Sequence, residues 1–166
     1  AAAAGFDPAE QDGALAPLGF FDPMGFTEGT SEEAFQASRE AELKYGRVAM
    51  LAVVGLVAQH FVRLPSFEQV PSGVRAVTSS QGLQGLLGLT VLAGVLEVSG
   101  LANPLAGEGD DGSDGARDLR NKELSNGRLA MVGVLGILGS ELATGKDAAQ
   151  QIEGLASAAA ALGRRL

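Results

Sequence analysis

The chain has no cysteine, which excludes disulfide frameworks, thiolate metal sites and thiol nucleophiles. Tryptophan is also absent, and the chain has one tyrosine and one histidine, His60. Basic residues are in deficit, since 12 lysines and arginines stand against 20 acidic residues for a net charge of −8. This deficit argues against a nucleic-acid partner, because neutralising phosphates needs a surplus of lysine and arginine.

Long hydrophobic runs are scarce as well, because no segment is an uninterrupted stretch of about 20 apolar residues. Nevertheless 46% of the 166 residues are apolar, which favours a membrane protein of one domain over residues 1–166. The first residues lack the basic and apolar regions of a secretory signal, and we expect a targeting segment to have been removed. The expectation is a single compact unit with long helices.

Three helices are predicted, at about residues 31–62, 77–101 and 118–144, and they define an all-α membrane protein with three transmembrane helices. Residues 1–30 read as a turn-rich arm, since Asp-Pro steps bias the preceding residue away from helix. Thr30 or Ser31 is the expected N-cap of the first helix, and Gly145 is the expected C-cap of the third. The acidic, glycine-rich stretch 107–115 is predicted as a loop, and 145–166 as a C-terminal segment.

An internal repeat joins the first and third helices. Residues 42–50 (ELKYGRVAM) and 123–131 (ELSNGRLAM) are identical at six of nine positions, at an offset of 81 residues. Small residues recur at every third position in both copies, a pattern that lets two membrane helices cross closely. We therefore expect the first and third helices to cross as a pseudo-two-fold pair.

The charges of the repeat need partners from outside their own helix. Glu42 and Arg47 are five residues apart, about 140° around a helix axis, so they do not face each other. A two-fold crossing would pair Glu42 with Arg128 and Glu123 with Arg47, neutralising four charges that lipid disfavours. A solvated charge cluster at each helix start is the alternative reading.

A carboxylate bonded to arginine through one oxygen still has a second oxygen to offer. Magnesium prefers oxygen donors, so Glu42 and Glu123 are candidate axial ligands to a magnesium held equatorially by a macrocycle. His60 follows Glu42 by five full helical turns, about 27 Å along the same face, and its counterpart in the repeat is Glu141. His60 is either a structural residue or a further ligand to such a macrocycle, and both readings stay open. Glu141 is a candidate contact to the same kind of cofactor.

These residues resemble a known family. The paired motif Glu-Leu-x-x-Gly-Arg-x-Ala-Met resembles the first and third membrane helices of light-harvesting chlorophyll-binding proteins, and residues 18–26 (LGFFDPMGF) resemble the arm of fucoxanthin- and peridinin-type chlorophyll a/c antennae. The resemblance implies chlorophyll a, chlorophyll c and carotenoids of the peridinin, fucoxanthin or diadinoxanthin type. It also implies a multi-pass protein of the chloroplast thylakoid with a stromal N-terminus. The implied partners are other antenna subunits, a photosystem core (photosystem I rather than II) and thylakoid lipids.

Specific residues match the family's positions. Magnesium ligands are implied at Glu42, Glu97, Glu123 and Asn126, a further pigment contact at Gln59, and bridging arginines at Arg47 and Arg128. Tyr45 stands where a ligand histidine is common and Ser140 where glutamine or histidine is common, which leaves the pigments there in doubt.

Other functions fit less well. Residues 107–112 satisfy GxGxxG but lack a preceding strand and carry three carboxylates where a pyrophosphate would sit. A calcium loop at 110–121 lacks the required acidic and closing residues. A transporter built from repeats would be expected to have broken helices. A photoprotective quencher of the same family stays an alternative function. An enzyme is not indicated, because the sequence shows no combination of a nucleophile and a base.

Overall fold

The computed structural model describes residues 6–15, 18–63, 65–100 and 114–164. Four α-helices occupy most of these ranges: α1 Glu32–Phe61, α2 Ser80–Val98, α3 Asp114–Thr144 and α4 Ala148–Gly163. Three 3₁₀ turns, at Pro8–Glu10, Pro65–Phe67 and Gly73–Thr78, and one isolated β-bridge, between Leu15 and Gly19, complete the described elements. The all-α prediction is confirmed for this part of the chain.

Both predicted caps are present. The Ser31 hydroxyl accepts a hydrogen bond from the backbone N–H of Ala34 at 3.3 Å, so Ser31 rather than Thr30 caps α1. Gly145 has φ +71° and donates its N–H to the carbonyl of Glu141 at 2.7 Å, as a left-handed C-cap glycine does. A side-chain hydrogen bond therefore sets the start of α1, and the backbone conformation of a glycine sets the end of α3.

The structure corrects three boundaries. α2 begins at Ser80 because the Ser79 side chain caps it, accepting from Gly82 N–H at 3.1 Å. α3 begins at Asp114, so the end of the predicted acidic loop is helical. Residues 107–113, including the rejected GxGxxG, lie outside the described residues, as does the predicted end of the second helix at about residue 101. The C-terminal segment contains α4, whose N-terminal N–H of Gln150 is capped by Asp147 at 3.0 Å.

The chain divides into two compact units. One comprises Ala1–Met50 with Leu105–Met131, and the other Leu51–Pro104 with Val132–Leu166. In the first unit the buried side chains include Phe35 and Leu124, and in the second they include Val70 and the start of α4. Each unit therefore has its own small core.

Apolar surface dominates the helices. α2 has no buried residue although it carries Leu89, Val91 and Val98, which are 64%, 66% and 91% exposed. α2 and α3 are long and apolar enough to cross a membrane, with mean hydropathies of 1.4 and 1.2. Such a surface favours lipid and bound apolar molecules as the environment of these helices. α1 is not apolar enough by the same measure, so the third span, in α1, stays a prediction.

Candidate functional site

Two arginine–glutamate pairs connect α1 and α3 within the first unit. Arg128 donates from Nε to Glu42 Oε1 at 2.6 Å. Arg47 donates from Nε to Glu123 Oε1 at 2.5 Å and from Nη2 to Oε2 at 3.2 Å. The four side chains are 26–40% exposed. Each of these arginines thus contacts the glutamate of the other helix. The glutamate of its own helix lies five residues earlier in the sequence.

The pairs meet where the two backbones are closest. Gly46 and Gly127 are both buried, and a Cβ added to Gly46 would lie 3.0 Å from the Cα of Gly127. Any larger side chain would push the helices apart, because only glycine allows backbones to approach this closely. Glycine at this position of the repeat thereby brings the charged side chains on either side within reach of each other.

Glu42 accepts a hydrogen bond from a second guanidinium. Arg39 Nη1 contacts Glu42 Oε2, while Arg128 contacts Oε1. Glu123 also has both oxygens engaged, by Arg47 alone among the described residues. The expectation that each carboxylate keeps one unbonded oxygen is therefore wrong. Each oxygen has two lone pairs, however, so an ionised carboxylate with one hydrogen bond at each oxygen still has two donor positions for a metal.

The arm contacts the group formed by Arg39, Glu42 and Arg128, which we call the Glu42 cluster. The N–H of Gly13 donates to Asn121 Oδ1 at 2.7 Å, and its carbonyl accepts from Arg128 Nη1 at 2.7 Å. The preceding residue, Asp12, lies 3.1 Å from Arg117 Nε and 3.7 Å from Arg120 Nη1. No motif in the sequence marked these arm residues, because their partners are more than a hundred positions away.

A cavity of about 550 Å³ lies between the arm and the Glu42 cluster. Its charged lining residues include Arg39, Glu42 and Arg128, and its apolar lining includes Leu15, Leu18, Phe20, Phe21, Phe26 and Phe35. Arg39 Nε is buried and has no hydrogen-bond partner among the described residues. A mostly apolar lining with a few charged groups suits a large, mostly apolar ligand with polar substituents.

Two further residues of the repeat lie at the surface. The Asn126 side chain is exposed, and its amide Nδ2 donates to the carbonyl of Lys122 at 2.9 Å. Its amide oxygen is therefore the atom left for a hard cation. Tyr45 is 64% exposed on α1. Both positions accordingly face outward, where a bulky ring could reach them.

In the second unit, His60 is held by a carboxylate. His60 Nδ1 lies 2.9 Å from Asp147 Oδ2, and the same oxygen accepts from the Ser72 hydroxyl at 2.7 Å. An ionised carboxylate only accepts hydrogen bonds, so Nδ1 carries the hydrogen in this contact and the lone pair of a neutral ring resides on Nε2. Asp147 is buried and His60 is half-buried.

The ionised state of Asp147 is strongly favoured. Burial opposes its charge, but hydrogen bonds from Gln150 N–H, the Ser72 hydroxyl and His60, together with the attraction of His60, outweigh it and lower the pKa of Asp147 from 3.8 to about 2. Asp147 therefore stays a fixed anion over the physiological range.

Glu141 lies in the same unit, against the connection between α1 and α2. Its Oε1 accepts from the N–H of Val74 at 2.8 Å, and Oε2 is buried without a partner among the described residues. Gly73 has φ +77°, and a Cβ there would lie 1.9 Å from Glu141 Oε1. The structure thus places Glu141 in a backbone contact that the repeat did not predict, and its role toward a pigment stays a prediction.

The other candidate residues are placed as follows. Gln59 is half-buried and donates from Nε2 to the carbonyl of Leu56 at 3.2 Å, which leaves Oε1 as its ligand atom. Glu97 is exposed on α2. The Ser140 hydroxyl contacts the side chain of Gln151 from α4 and the carbonyl of Gly136 at 2.8 Å. Ser140 is therefore engaged within the protein.

Comparison with known proteins supports a pigment-binding reading of this geometry. The sequence model of the family described as Chlorophyll A-B binding protein matches residues 7–142. The chain is 37% identical to fucoxanthin-chlorophyll a-c binding protein F of Macrocystis pyrifera, over 76% of this chain and 71% of the relative. It is 33% identical to fucoxanthin-chlorophyll a-c binding protein E of Phaeodactylum tricornutum, over 83% of this chain and 89% of the relative. Both relatives are described as chloroplastic.

Proposed function

The chain belongs to the chlorophyll A-B binding protein family, and from this premise we propose that it is a light-harvesting antenna protein of the chloroplast thylakoid. It binds chlorophyll a, chlorophyll c and carotenoid and passes excitation energy to a photosystem. No covalent bond is made or broken in this function. The protein fixes the separation, orientation and local field of the pigments, whose light absorption is their own chemistry.

The observation that carries this proposal is the double ion pair at the Gly46–Gly127 contact. In the proposed topology α1, α2 and α3 all cross the membrane, and α1 crosses α3 with two-fold pseudosymmetry. Two charges of α1 near the contact, Glu42 and Arg47, are each paired with a residue of α3, which removes most of the cost of placing these two charges in lipid. This pairing supports a third span in α1, which is more polar than α2.

The oxygen donors fit chlorophyll magnesium. Glu42 and Glu123 have lone pairs to spare beside their arginines, and Asn126 has its amide oxygen directed away from its own backbone bond. With Glu97 on α2 and Gln59 on α1, they are the proposed axial ligands. The flat glycine and alanine surface beside them gives a large ring access to the helix backbone.

His60 is proposed as a nitrogen ligand at the other end of α1. Metal-binding histidines usually donate their second ring N–H to a carboxylate, which fixes the tautomer and the ring orientation. Asp147 makes that contact with Nδ1 at 2.9 Å. His60 Nε2 is thus the ring nitrogen that would hold a chlorophyll magnesium, and the Asp147 contact favours the ligand reading over the structural one.

The test is reconstitution of the chain with chlorophyll a, chlorophyll c and fucoxanthin, followed by absorption and fluorescence-excitation spectra. Excitation in the carotenoid and chlorophyll c bands should produce chlorophyll a emission, and heat unfolding should abolish this transfer. A stably folded protein that remains colourless would overturn the proposal. Co-purification from thylakoids with photosystem I or photosystem II then tests the expectation that photosystem I is the partner.

A further inference from the structure

The two glutamates of the repeat have different surroundings. Glu42 accepts one hydrogen bond from each of two arginines, whereas the hydrogen bonds to Glu123 within the described residues come from Arg47. Arg120 is the counterpart of Arg39 at the repeat offset, but it lies 3.7 Å from Asp12 of the arm. The arm therefore breaks the equivalence of the two copies.

Gly13 is the arm residue that contacts the Glu42 side of the repeat. Its N–H and its carbonyl bond to Asn121 and Arg128, both at 2.7 Å, and its φ of +92° is one that residues with side chains rarely adopt. A Cβ at this position would lie 3.0 Å from Arg39 Nη1 and from Leu124 Cδ1. The arm backbone thus lies between two helices at a point where an added side chain would displace the ends of Arg39 and Leu124.

The same arginine contacts both the arm and the candidate ligand. Arg128 donates from Nη1 to Gly13 and from Nε to Glu42, so its planar guanidinium is held at two points. A guanidinium held in this way also limits where the carboxylate oxygen that it binds can lie. Arg39 holds the second oxygen from the other side. The direction of the remaining lone pairs of Glu42 therefore depends on where the arm lies.

We propose that the Asp12–Gly13 segment of the arm is a positioning element for the Glu42 site, so that a pigment held at Glu42 requires the arm while a pigment held at Glu123 does not. The inference rests on the proposed function, since it concerns the ligand geometry of that site. Asp12 anchors the segment to Arg117 and Arg120 of α3, and Asn121 sets its register.

The test compares two arm glycines of the same backbone type. Gly13→Ala introduces a Cβ into the arginine cluster, whereas Gly29→Ala carries a similar backbone strain (φ +73°) with nothing within 4 Å of the added Cβ. After reconstitution with chlorophyll a, chlorophyll c and fucoxanthin, pigment-to-protein ratios and difference absorption spectra are measured. Reference spectra come from the paired replacements Glu42→Leu with Arg128→Leu, and Glu123→Leu with Arg47→Leu.

Gly13→Ala should lower occupancy of the Glu42 site about tenfold, equivalent to ~1.4 kcal/mol, with the Glu42 reference spectrum as its signature. Gly29→Ala should retain that pigment. Asn121→Ala should reproduce the loss and Asn121→Asp, which keeps an acceptor for the Gly13 N–H, should restore it, so the inference stays testable if Gly13→Ala fails to fold. Equal loss at both glutamates, or no loss with Asn121→Ala, would overturn it. Failure of the unaltered chain to bind chlorophyll would instead overturn the proposed function.

Discussion

Gly46 of α1 and Gly127 of α3 lie so close that a Cβ on either would come within 3.0 Å of the Cα of the other. Gly136 of the same repeat has nothing within 4 Å of an added Cβ. The small residues that recur at every third position of α3 therefore include one that packs against the other helix, Gly127, and one that has open space beside it, Gly136.

This division predicts opposite effects of the same substitution. Gly127→Ala should destabilise the pigmented protein by about 1–3 kcal/mol, because the helices must separate. Gly136→Ala should be neutral or stabilising by up to ~1 kcal/mol, because alanine favours helix. Thermal loss of helical circular dichroism measures both, and equal destabilisation by the two changes would contradict the assignment.

The ion pairs should be coupled between helices rather than within them. Glu42→Gln and Arg128→Leu should each cost about 2–4 kcal/mol, since the first removes the carboxylate that two guanidiniums share and the second leaves Glu42 with Arg39 as its remaining ion-pair partner among the described residues. The double variant should cost less than the sum by about 1–3 kcal/mol.

A double-mutant cycle on thermal stability measures this coupling. The exposed pair Asp118–Lys122, joined at 2.6 Å but more than half exposed, is the matched control and should show a coupling of ~0–1 kcal/mol. Additive losses for Glu42 and Arg128, with coupling appearing between Glu42 and Arg47 instead, would refute the crossing.

Glu97 should bind a pigment without holding the fold together, because α2 has no buried residue. We expect Glu97→Leu to lose chlorophyll while the helical circular dichroism of the reconstituted protein is kept. The chlorophyll-to-protein ratio is the measurement. An unchanged ratio would show that Glu97 is not a ligand.

We predict that a pigment position beside Tyr45 is weakened or displaced. A phenol is a poorer axial ligand than imidazole and is longer, so a chlorophyll beside Tyr45 should be absent, displaced or held through a water. Tyr45→His should add a chlorophyll or shift its spectrum. An unchanged pigment complement would mean that Tyr45 is an interfacial aromatic residue with no influence on pigment binding.

The contacts of Asp147 predict a pH dependence. Its pKa is lowered from 3.8 to about 2, so its contribution of about 2 kcal/mol is fully present above pH 3.8 and is lost as the pH falls through about 2. Asp147→Asn should therefore lower stability at pH 7, and this deficit should shrink below pH 3.8. Thermal unfolding of both proteins across pH 2–7 measures it, and a constant deficit would contradict the assigned cause.

Features that depend on local pattern could be predicted from the sequence. Ser31 and Gly145 are recognisable caps because their chemistry acts within a few residues. The repeat indicated which carboxylate would meet which guanidinium, and Glu42 does contact Arg128; that these pairs form a two-fold core in a membrane stays a proposal. α4 could also have been predicted, since Asp147 before an alanine-rich stretch is a helix start signal.

Features that depend on the path of the chain could not be predicted from the sequence. Gly13 and Asn121 are 108 residues apart, and His60 and Asp147 are 87 apart, with no periodicity linking either pair. Glu141 occupies the position of His60 in the repeat, yet it bonds the backbone of Val74 because the α1–α2 connection passes beside it. Repeat symmetry predicts equivalent helices, but the connections that surround them are not repeated.

The pairing of Arg128 with Glu42 also constrains how the protein is assembled. These residues are 86 positions apart, so α1 is synthesised before the α3 residues that pair with Glu42 and Arg47. In the proposed topology α1 is therefore a poor membrane segment by itself, in keeping with α2 and α3 being the helices apolar enough to cross a membrane. Stable insertion of the first helix would await the arrival of the third, which makes integration of the whole bundle a concerted step.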